Sequence, residues 1–428
     1  MTATIRPIGS QMIREEVERR MKSQGEQTPK PQVSDAPAAR YENTAPAVNP
    51  PAGIVPTVAP VGLYMPTMYC PITLHLHPGA DEADAHTEAW LDQYGLYSDT
   101  TQRARLLSTR CGRLAAHMAP FCPSPELLNV HADYCTWAFA FDDEFCDEGP
   151  IRFHPAEQTE AFNRMLRAIE VVEYPIDPDD NYSSALRDIR IRLDTFASPA
   201  QGDRFVEWMR GYFMIELWKS GNAARGILPN LDDYAVARLY GGGGMVFSQL
   251  PASYEDLMLD PRTVARRDVR ALLEAASTLV CWDSDLLAFA KERERTSDGN
   301  NLIDIIANEF ELPLQEAINT AMDLRNRVMC FYLRLGKALR EDTNPELHRY
   351  SILLDQYVRG FLEWALEAST QHRYLRSDGT LPFTFEGWTT DSLPEEATEP
   401  VAIPSIAWWW QHDPVNPQKI SRAVSSAN

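Results

Sequence analysis

The sequence of 428 residues lacks the features of a secreted or membrane-spanning chain. Its seven cysteines are an odd number at scattered positions, unlike the even framework of a small disulfide-stabilised protein. No apolar run is long enough to cross a bilayer, and the N-terminus has no apolar segment of the signal-peptide kind. We therefore expect a soluble cytoplasmic protein that has no membrane partner.

Basic residues are also in short supply. The chain has 40 Lys and Arg residues against 61 Asp and Glu residues, which gives a formal net charge of −21 at pH 7. Such a charge argues against nucleic acid or an anionic membrane surface as a partner. A small anionic substrate remains compatible with this charge if bridging metal ions neutralise both partners locally.

Alternating strand patterns are rare, and no internal repeat is present. Most of the sequence between residues 64 and 376 has the periodicity of amphipathic helices, one of which is predicted from Arg103 to Ala119. These patterns predict an all-α fold with a single helical bundle over residues 64–376.

Two flanking regions differ in composition from the bundle. Residues 1–63 are rich in Pro and Ala, so we expect a disordered extension, with a possible short helix over 10–25 that docks another protein. Residues 377–428 form a tail that contains Trp408, Trp409 and Trp410. Three adjacent tryptophans favour packing of the tail on the bundle, and a lid or a homodimer contact is the alternative.

Acidic residues are concentrated in the stretch Asp142–Glu148, which directly follows an aromatic-rich apolar run. A Ser-Pro pair upstream predicts the start of a helix that extends to Phe145. In that helix Asp143 and Asp147 lie one turn apart, and Asp142 lies about 100° away. Because close carboxylates repel one another, a hard divalent cation such as Mg²⁺ is the usual partner of such a cluster. A solvated acidic helix end is the alternative, which the preceding aromatic residues disfavour.

The acidic stretch resembles the aspartate-rich motif of class I terpene synthases, which bind a prenyl diphosphate through three Mg²⁺ ions and ionise it to an allylic cation. The resemblance implies a class I terpenoid synthase-like bundle. Ser284, Ala288 and Glu292 share one helix face and match the second metal motif of this family, where Asn and Ser or Thr occupy the first two positions. Ala288 has no ligand oxygen, and Ser284 is a weaker donor than an amide. A surface helix with charge pairs four residues apart is the alternative.

Arg238 lies 46 residues before Ser284, and four glycines follow it at 241–244. The family has a diphosphate-sensing Arg at this distance, followed by a helix break, and four consecutive glycines break a helix. We therefore predict catalytic roles for Asp142, Arg238 and Gly242. The metal ligands implied by the resemblance are Asp142, Asp143, Asp147, Ser284, Asp285 and Glu292. The implied substrate contacts are Arg238, Lys291, Arg295, Arg373, Tyr374, Phe139 and Tyr357, with Tyr240 and Trp364 as further candidates for an aromatic wall.

Four local features are similar to the 2-methylisoborneol synthase branch of this family. They are the Pro/Ala-rich extension, Tyr69-Cys-Pro71, Cys146-Asp-Glu148 and Ser253-Tyr-Glu255. This similarity favours 2-methylgeranyl or geranyl diphosphate as substrate, and a sesquiterpene cyclase acting on farnesyl diphosphate is the alternative. A prenyl diphosphate synthase would carry a second Asp-Asp-x-x-Asp motif, which is absent. The losses at 284 and 288 also leave open an impaired binding or scaffold protein.

Overall fold

The computed structural model describes residues 62–254, 257, 259–295, 298–367, 373–375, 379–380, 383–392 and 397–415. The predicted extension, including the possible helix over residues 10–25, lies outside the described residues up to residue 61. The all-α prediction is confirmed, because helices make up most of the described chain and the strands within it are only two residues long.

The α-helices of the described residues follow one another with short connections. They are α1 (Ala80–Tyr94), α2 (Thr100–Ser108), α3 (Cys111–Met118), α4 (Pro125–Phe141), α5 (Pro155–Glu170), α6 (Asn181–Leu193), α7 (Pro199–Ala224), α8 (Leu231–Arg238), α9 (Gly244–Tyr254), α10 (Pro261–Val264), α11 (Arg267–Arg295), α12 (Leu302–Glu309), α13 (Leu314–Arg340), α14 (Pro345–Leu366) and α15 (Pro404–Ala407). None of these helices combines the length and the apolar content needed to cross a bilayer.

Local capping chemistry sets the start of several helices. The side chain of Ser124 accepts a hydrogen bond from the backbone N–H of Leu127, with Pro125 in the first turn of α4 as predicted. Ser198 and Gln201 form a reciprocal capping box at the start of α7. These caps satisfy backbone donors that have no partner within the helix.

The prediction of a single helix from Arg103 to Ala119 is wrong, because the structure has two helices there, α2 and α3. The chain changes direction at Arg110, whose φ of 53° lies in the left-handed region. The Arg110 guanidinium binds two carboxylates of α1, Asp81 and Asp84, each at 2.9 Å. These contacts come from another helix, so the periodicity of the segment itself did not reveal the break.

Helix α9, whose described side chains are buried, packs against the two helices that carry the acidic motifs. Helix α9 contacts α4 and α11, and it also packs against α7 and α14. The side chains of Trp137 on α4, Trp282 on α11 and Trp364 on α14 are fully buried. Helices α4 and α11 are thereby both held against α9.

The described part of the tail returns to the bundle. Two short parallel pairs join β1 (Leu63–Tyr64) to β3 (Phe383–Thr384) and β2 (Met68–Tyr69) to β4 (Thr389–Thr390). Further along, the Trp409 indole N–H donates to Glu274 Oε2 at 2.9 Å. Trp410 is also buried.

Candidate active site

A cavity that is partly open to solvent lies among α4, α7, α11 and α14. Its lining combines charged groups with apolar and aromatic side chains. The charged and polar lining residues include Asp142, Asp147, Glu216, Lys219, Arg238, Ser284, Asp285, Lys291, Glu292, Asp298, Asn300, Arg373 and Tyr374. Most of the predicted site residues that the structure describes thus lie around one space.

A π-helical segment, Asp142–Asp147, continues α4 and decides which acids reach this cavity. Its hydrogen bonds link residues five apart, as the bond from the N–H of Glu148 to the carbonyl of Asp143 at 3.0 Å shows. Asp142 and Asp147 therefore both line the cavity, whereas Asp143 is not among its lining residues. The prediction that Asp143 and Asp147 share a face is wrong, since it assumed α-helical geometry through residue 147.

Asp143 is paired with arginines instead. Its Oδ2 accepts from Arg105 at 3.1 Å, and its Oδ1 lies 3.6 Å from Arg373. Both contacts involve a carboxylate that is 1% exposed. Asp143 therefore positions Arg373 at the site, and the structure does not bring its carboxylate together with that of Asp142 in the cavity lining.

Two charged residues on α7 belong to the site and were not predicted, Glu216 and Lys219. The Lys219 ammonium lies 2.9 Å from Asp147 Oδ1 and 3.5 Å from Glu216 Oε2. Burial lowers the pKa of Lys219, but the Asp147 and Glu216 carboxylates outweigh it and raise that pKa well above its ordinary value. Burial likewise opposes ionisation of Asp147, yet Lys219 and Lys291 bring the pKa of Asp147 down to about 2. A signal was available, because these two charges interrupt an otherwise apolar run of α7.

The pKa of Asp142 is shifted in the opposite direction from that of Asp147. Loss of hydration, together with the neighbouring Asp147 charge, raises the pKa of Asp142 well above its ordinary value. Glu216 lies close to Asp142, is only 4% exposed, and its Oε2 accepts no hydrogen bond within the described part of the chain. Buried carboxylates of this kind suit a divalent cation, so the residues present fit the metal that the resemblance implies.

The second motif lies on α11, where Ser284, Asp285, Ala288, Lys291 and Glu292 all line the cavity. Ala288 provides no oxygen, as the sequence predicts. The Asp285 carboxylate is engaged by Arg238 at 2.5 Å and by the Tyr234 hydroxyl, so it holds Arg238 in this state. Burial and the Asp285 charge raise the pKa of Glu292 to about 7, against the opposing effect of Lys291.

The glycine run breaks the chain between α8 and α9, and Arg238 is the last residue before the break. Gly242 has a φ of 64°, and a Cβ placed on it would lie 3.1 Å from the Arg238 guanidinium. A side chain at 242 would therefore be strained and would crowd Arg238. The Gly242 N–H also faces Glu216 Oε1 at 3.4 Å, which connects the break to the acidic cluster.

The predicted aromatic and cationic contacts divide into two groups. Arg373 lies over the Phe139 ring with a 4.0 Å separation, and both line the cavity with Tyr374. Tyr357 also lines the cavity, and its hydroxyl donates to the Gly244 carbonyl at 2.9 Å. The side chain of Arg295 lies outside the described residues.

Two further candidates for the aromatic wall do not reach the cavity, which corrects that expectation. Trp364 stacks behind Phe139 and donates its indole N–H to the Thr109 carbonyl at 2.8 Å. Tyr240 packs against Trp208, and its hydroxyl accepts from Arg270 at 2.9 Å. Both rings therefore support the wall or the neighbouring helices from outside the cavity.

Comparisons with known proteins agree with this arrangement. A family model described as "Terpene synthase family 2, C-terminal metal binding" matches residues 133–330. The chain is 33% identical over 347 residues to (+)-(1(10)E,4E,6S,7R)-germacradien-6-ol synthase of Streptomyces pratensis, which covers 81% of this chain and 96% of that protein. It is 31% identical over 349 residues to a (+)-T-muurolol synthase of Streptomyces clavuligerus, described as (2E,6E)-farnesyl diphosphate cyclizing, with coverage of 80% and 81%. The crystal structure of the SVS_A2 protein from ancestral sequence reconstruction superposes with a TM-score of 0.71 at 30% identity, over 81% of this chain and 98% of that one.

Proposed function

Since the chain belongs to the bacterial terpene synthase family, whose members are lyases acting on prenyl diphosphates, we propose that it ionises and cyclises farnesyl diphosphate. The relative described as farnesyl diphosphate cyclizing supports this substrate. The 2-methylisoborneol branch is not confirmed, so the sesquiterpene alternative replaces 2-methylgeranyl or geranyl diphosphate as the main hypothesis.

The observation that carries the proposal is that one cavity joins the two motif helices to an aromatic and apolar wall. Asp142 and Glu216 on one side, with Ser284 and Glu292 on the other, are the oxygen donors that would hold metal ions. Magnesium bound there would neutralise the diphosphate and act as a Lewis acid on its leaving oxygen. The three-ion arrangement implied by the resemblance belongs to this proposal.

The chain's own cations would receive the leaving group. Arg238, Lys291 and Arg373 line the cavity and offer donors to diphosphate oxygens. Their contacts strengthen as the allylic carbon–oxygen bond breaks and the diphosphate departs with the electron pair, which favours the transition state over the bound substrate.

The remaining lining would serve the carbocation. Phe139 and Tyr357 present aromatic rings to the cavity, and a cation–π contact is worth about 0.5–2 kcal/mol depending on desolvation. Apolar neighbours such as Met118 and Phe361 exclude water that would otherwise quench the cation. The wall and the charged cluster together support an ionisation followed by ring closure.

The test is to incubate the full chain in the presence of Mg²⁺ with farnesyl, geranyl or 2-methylgeranyl diphosphate, each in its own reaction. Volatile products and released diphosphate are measured. We expect cyclic fifteen-carbon products from farnesyl diphosphate. Asp142→Asn is the matched inactive control, and because it removes a poorly hydrated charge it should melt no lower than the wild type. Products from a ten- or eleven-carbon substrate with none from farnesyl diphosphate would overturn the substrate assignment.

A second candidate function is binding of a prenyl diphosphate without turnover. The observation that favours it is the missing oxygen at Ala288 in the second motif. In that case, calorimetry would detect farnesyl diphosphate binding in the presence of Mg²⁺, while no diphosphate would be released from any of the three substrates.

A further inference from the structure

The C-terminal tail reaches the glycine break, residues 241–244, through successive hydrogen bonds. The Trp409 indole N–H donates to Oε2 of Glu274, a buried residue of α11. The other oxygen of Glu274, Oε1, accepts from the Nε of Arg270 one turn earlier on the same helix. A second nitrogen of Arg270 donates to the Tyr240 hydroxyl at 2.9 Å. These four residues, here called the tail relay, connect the tail to the residue that directly precedes the glycines.

Trp409 decides which partner the second nitrogen of Arg270 takes. An arginine beside a carboxylate favours two parallel N–H···O bonds, one to each oxygen. In this chain the Nε of Arg270 bonds Oε1 of Glu274, while Trp409 occupies Oε2. The second nitrogen of Arg270 is thereby available for Tyr240. Without the indole N–H, Oε2 would lose its donor and would draw that nitrogen away from the Tyr240 hydroxyl, because a buried acceptor is costly to leave unsatisfied.

Tyr240 is in turn closely fitted to its surroundings and linked to the glycine break. A Cβ built on Gly211 of α7 would lie 2.5 Å from the Tyr240 ring, so the ring lies directly against the helix backbone. The Tyr240 carbonyl accepts from the Gly243 N–H at 3.2 Å. Along the chain, Arg238 before it and the first two glycines after it line the cavity. The position of Tyr240 therefore affects the part of the cavity that these residues form.

We propose that Trp409 is a positioning residue, which fixes the glycine break and the adjacent Arg238 through the tail relay. Trp409 itself is not among the described residues that line the cavity. The tail makes a second contact with the same segment, because the Ser405 N–H donates to Asp232 Oδ1 at 2.8 Å in the first turn of α8. Arg238 is the last residue of that helix. The tail is thus connected to both ends of α8.

The experiment is amide hydrogen exchange of the full chain without metal or substrate, measured by mass spectrometry over residues 239–247. Trp409→Phe keeps an aromatic ring and removes the N–H donor. We expect the hydrogen-bonded amides of this segment, that of Gly243 among them, to exchange about 10–100-fold faster, the factor that a hydrogen bond to a charged group contributes. Trp408→Phe is the matched control, since Trp408 packs against Arg267 outside the tail relay, and it should leave this exchange unchanged.

A double variant tests the tail relay itself. Trp409→Phe and Tyr240→Phe remove its two ends, and together they should accelerate exchange no more than either does alone, whereas unconnected sites would have multiplicative effects. Arg270→Lys keeps a cation beside Glu274 but replaces the planar fork by a single nitrogen. It should accelerate exchange to the same extent, and it replaces Trp409→Phe if circular dichroism shows that this variant folds poorly.

Turnover is a second measurement, and its interpretation rests on the proposed function. The contacts of Arg238 with the departing diphosphate strengthen in the transition state. Trp409→Phe should therefore lower kcat for farnesyl diphosphate about tenfold and change KM by less than about twofold, with Trp408→Phe unchanged in both.

Unchanged exchange in Trp409→Phe, equal acceleration in Trp408→Phe, or multiplicative effects in the double variant would overturn the inference. An unchanged kcat in Trp409→Phe would overturn it as well. A wild type that releases no diphosphate would refute the proposed function instead, since the exchange measurements need no substrate.

Discussion

The ion pair between Arg238 and Asp285 leads to a prediction in which stability and activity separate. Arg238 donates to Asp285 at 2.5 Å and to the Cys281 carbonyl at 3.1 Å. Asp285 is 1% exposed and also accepts from the Tyr234 hydroxyl. Arg238→Met would leave the buried carboxylate with Tyr234 as its remaining side-chain donor.

The size of the effect follows from these contacts. Removing one partner of a buried ion pair typically costs about 3–5 kcal/mol, because the other charge is left uncompensated. The surviving Tyr234 bond to a charged acceptor retains part of this energy, so we expect the lower end, about 3 kcal/mol. Burial raises the pKa of Asp285, and uptake of a proton would also limit the penalty.

The double variant Arg238→Met/Asp285→Asn removes both charges. Replacing a whole buried pair by neutral groups is often close to neutral for stability, so most of the roughly 3 kcal/mol should return. Diphosphate release should stay about a hundredfold below the wild type in both variants, since the guanidinium that stabilises the leaving group is absent.

Urea unfolding followed by tryptophan fluorescence measures the free energy of unfolding of each variant. A coupled diphosphate assay measures the rate of diphosphate release. Asp285→Asn alone completes the cycle. A double variant as unstable as Arg238→Met would show that the pair does not account for the loss. Recovery of turnover in the double variant would refute the role of Arg238 as a diphosphate donor.

Two further predictions concern α11. Ala288→Ser adds an oxygen at the ligand-poor position and should lower the Mg²⁺ concentration at half-maximal diphosphate release, by about tenfold at most, whereas Ala290→Ser, outside the cavity lining, should leave it unchanged. Because the pKa of Glu292 is raised to about 7, Mg²⁺ affinity should increase as pH rises through that value, and Glu292→Gln should flatten the profile in calorimetric titrations. A carboxyl whose pKa is raised in the folded state makes the fold lose stability as pH rises towards 7. Without metal and above that pH, Glu292→Gln should therefore also have a higher melting temperature than the wild type. An equal or lower melting temperature would contradict the raised pKa of Glu292.

The features of the fold that were predictable are those that local chemistry decides. The start of α4 at Ser124 and Pro125 follows from capping preferences within a few residues. The break at Arg110 could not be predicted in that way, because the carboxylates that stabilise its left-handed backbone lie on α1. Spacing along the chain carries no information about such partners.

The sequence predicted most residues of the candidate site, but it did not predict which acidic side chains of Asp142–Asp147 face the cavity. A π-helix and an α-helix differ by one residue in hydrogen-bond spacing, and this difference moves Asp143 out of the cavity lining while Asp142 and Asp147 remain in it. Family resemblance drew attention to residues in the known motifs. Glu216 and Lys219 lie outside those motifs, although charges within an apolar run of α7 were a visible sign that they have buried partners.

Two cations of the cavity are already paired with carboxylates before any ligand arrives, and this constrains how ligands enter. Asp285 holds Arg238, and Asp147 holds Lys219. A diphosphate that takes Arg238 alone would leave Asp285 buried without its cation. A metal ion that takes Asp147 alone would remove the nearer carboxylate from Lys219 and leave it with Glu216 at 3.5 Å. When both ligands arrive together, each released group gains a new partner, since the carboxylates can face the metal and the cations can face the diphosphate. We therefore expect metal and diphosphate to bind this chain cooperatively, with the two buried pairs as the physical source of the coupling.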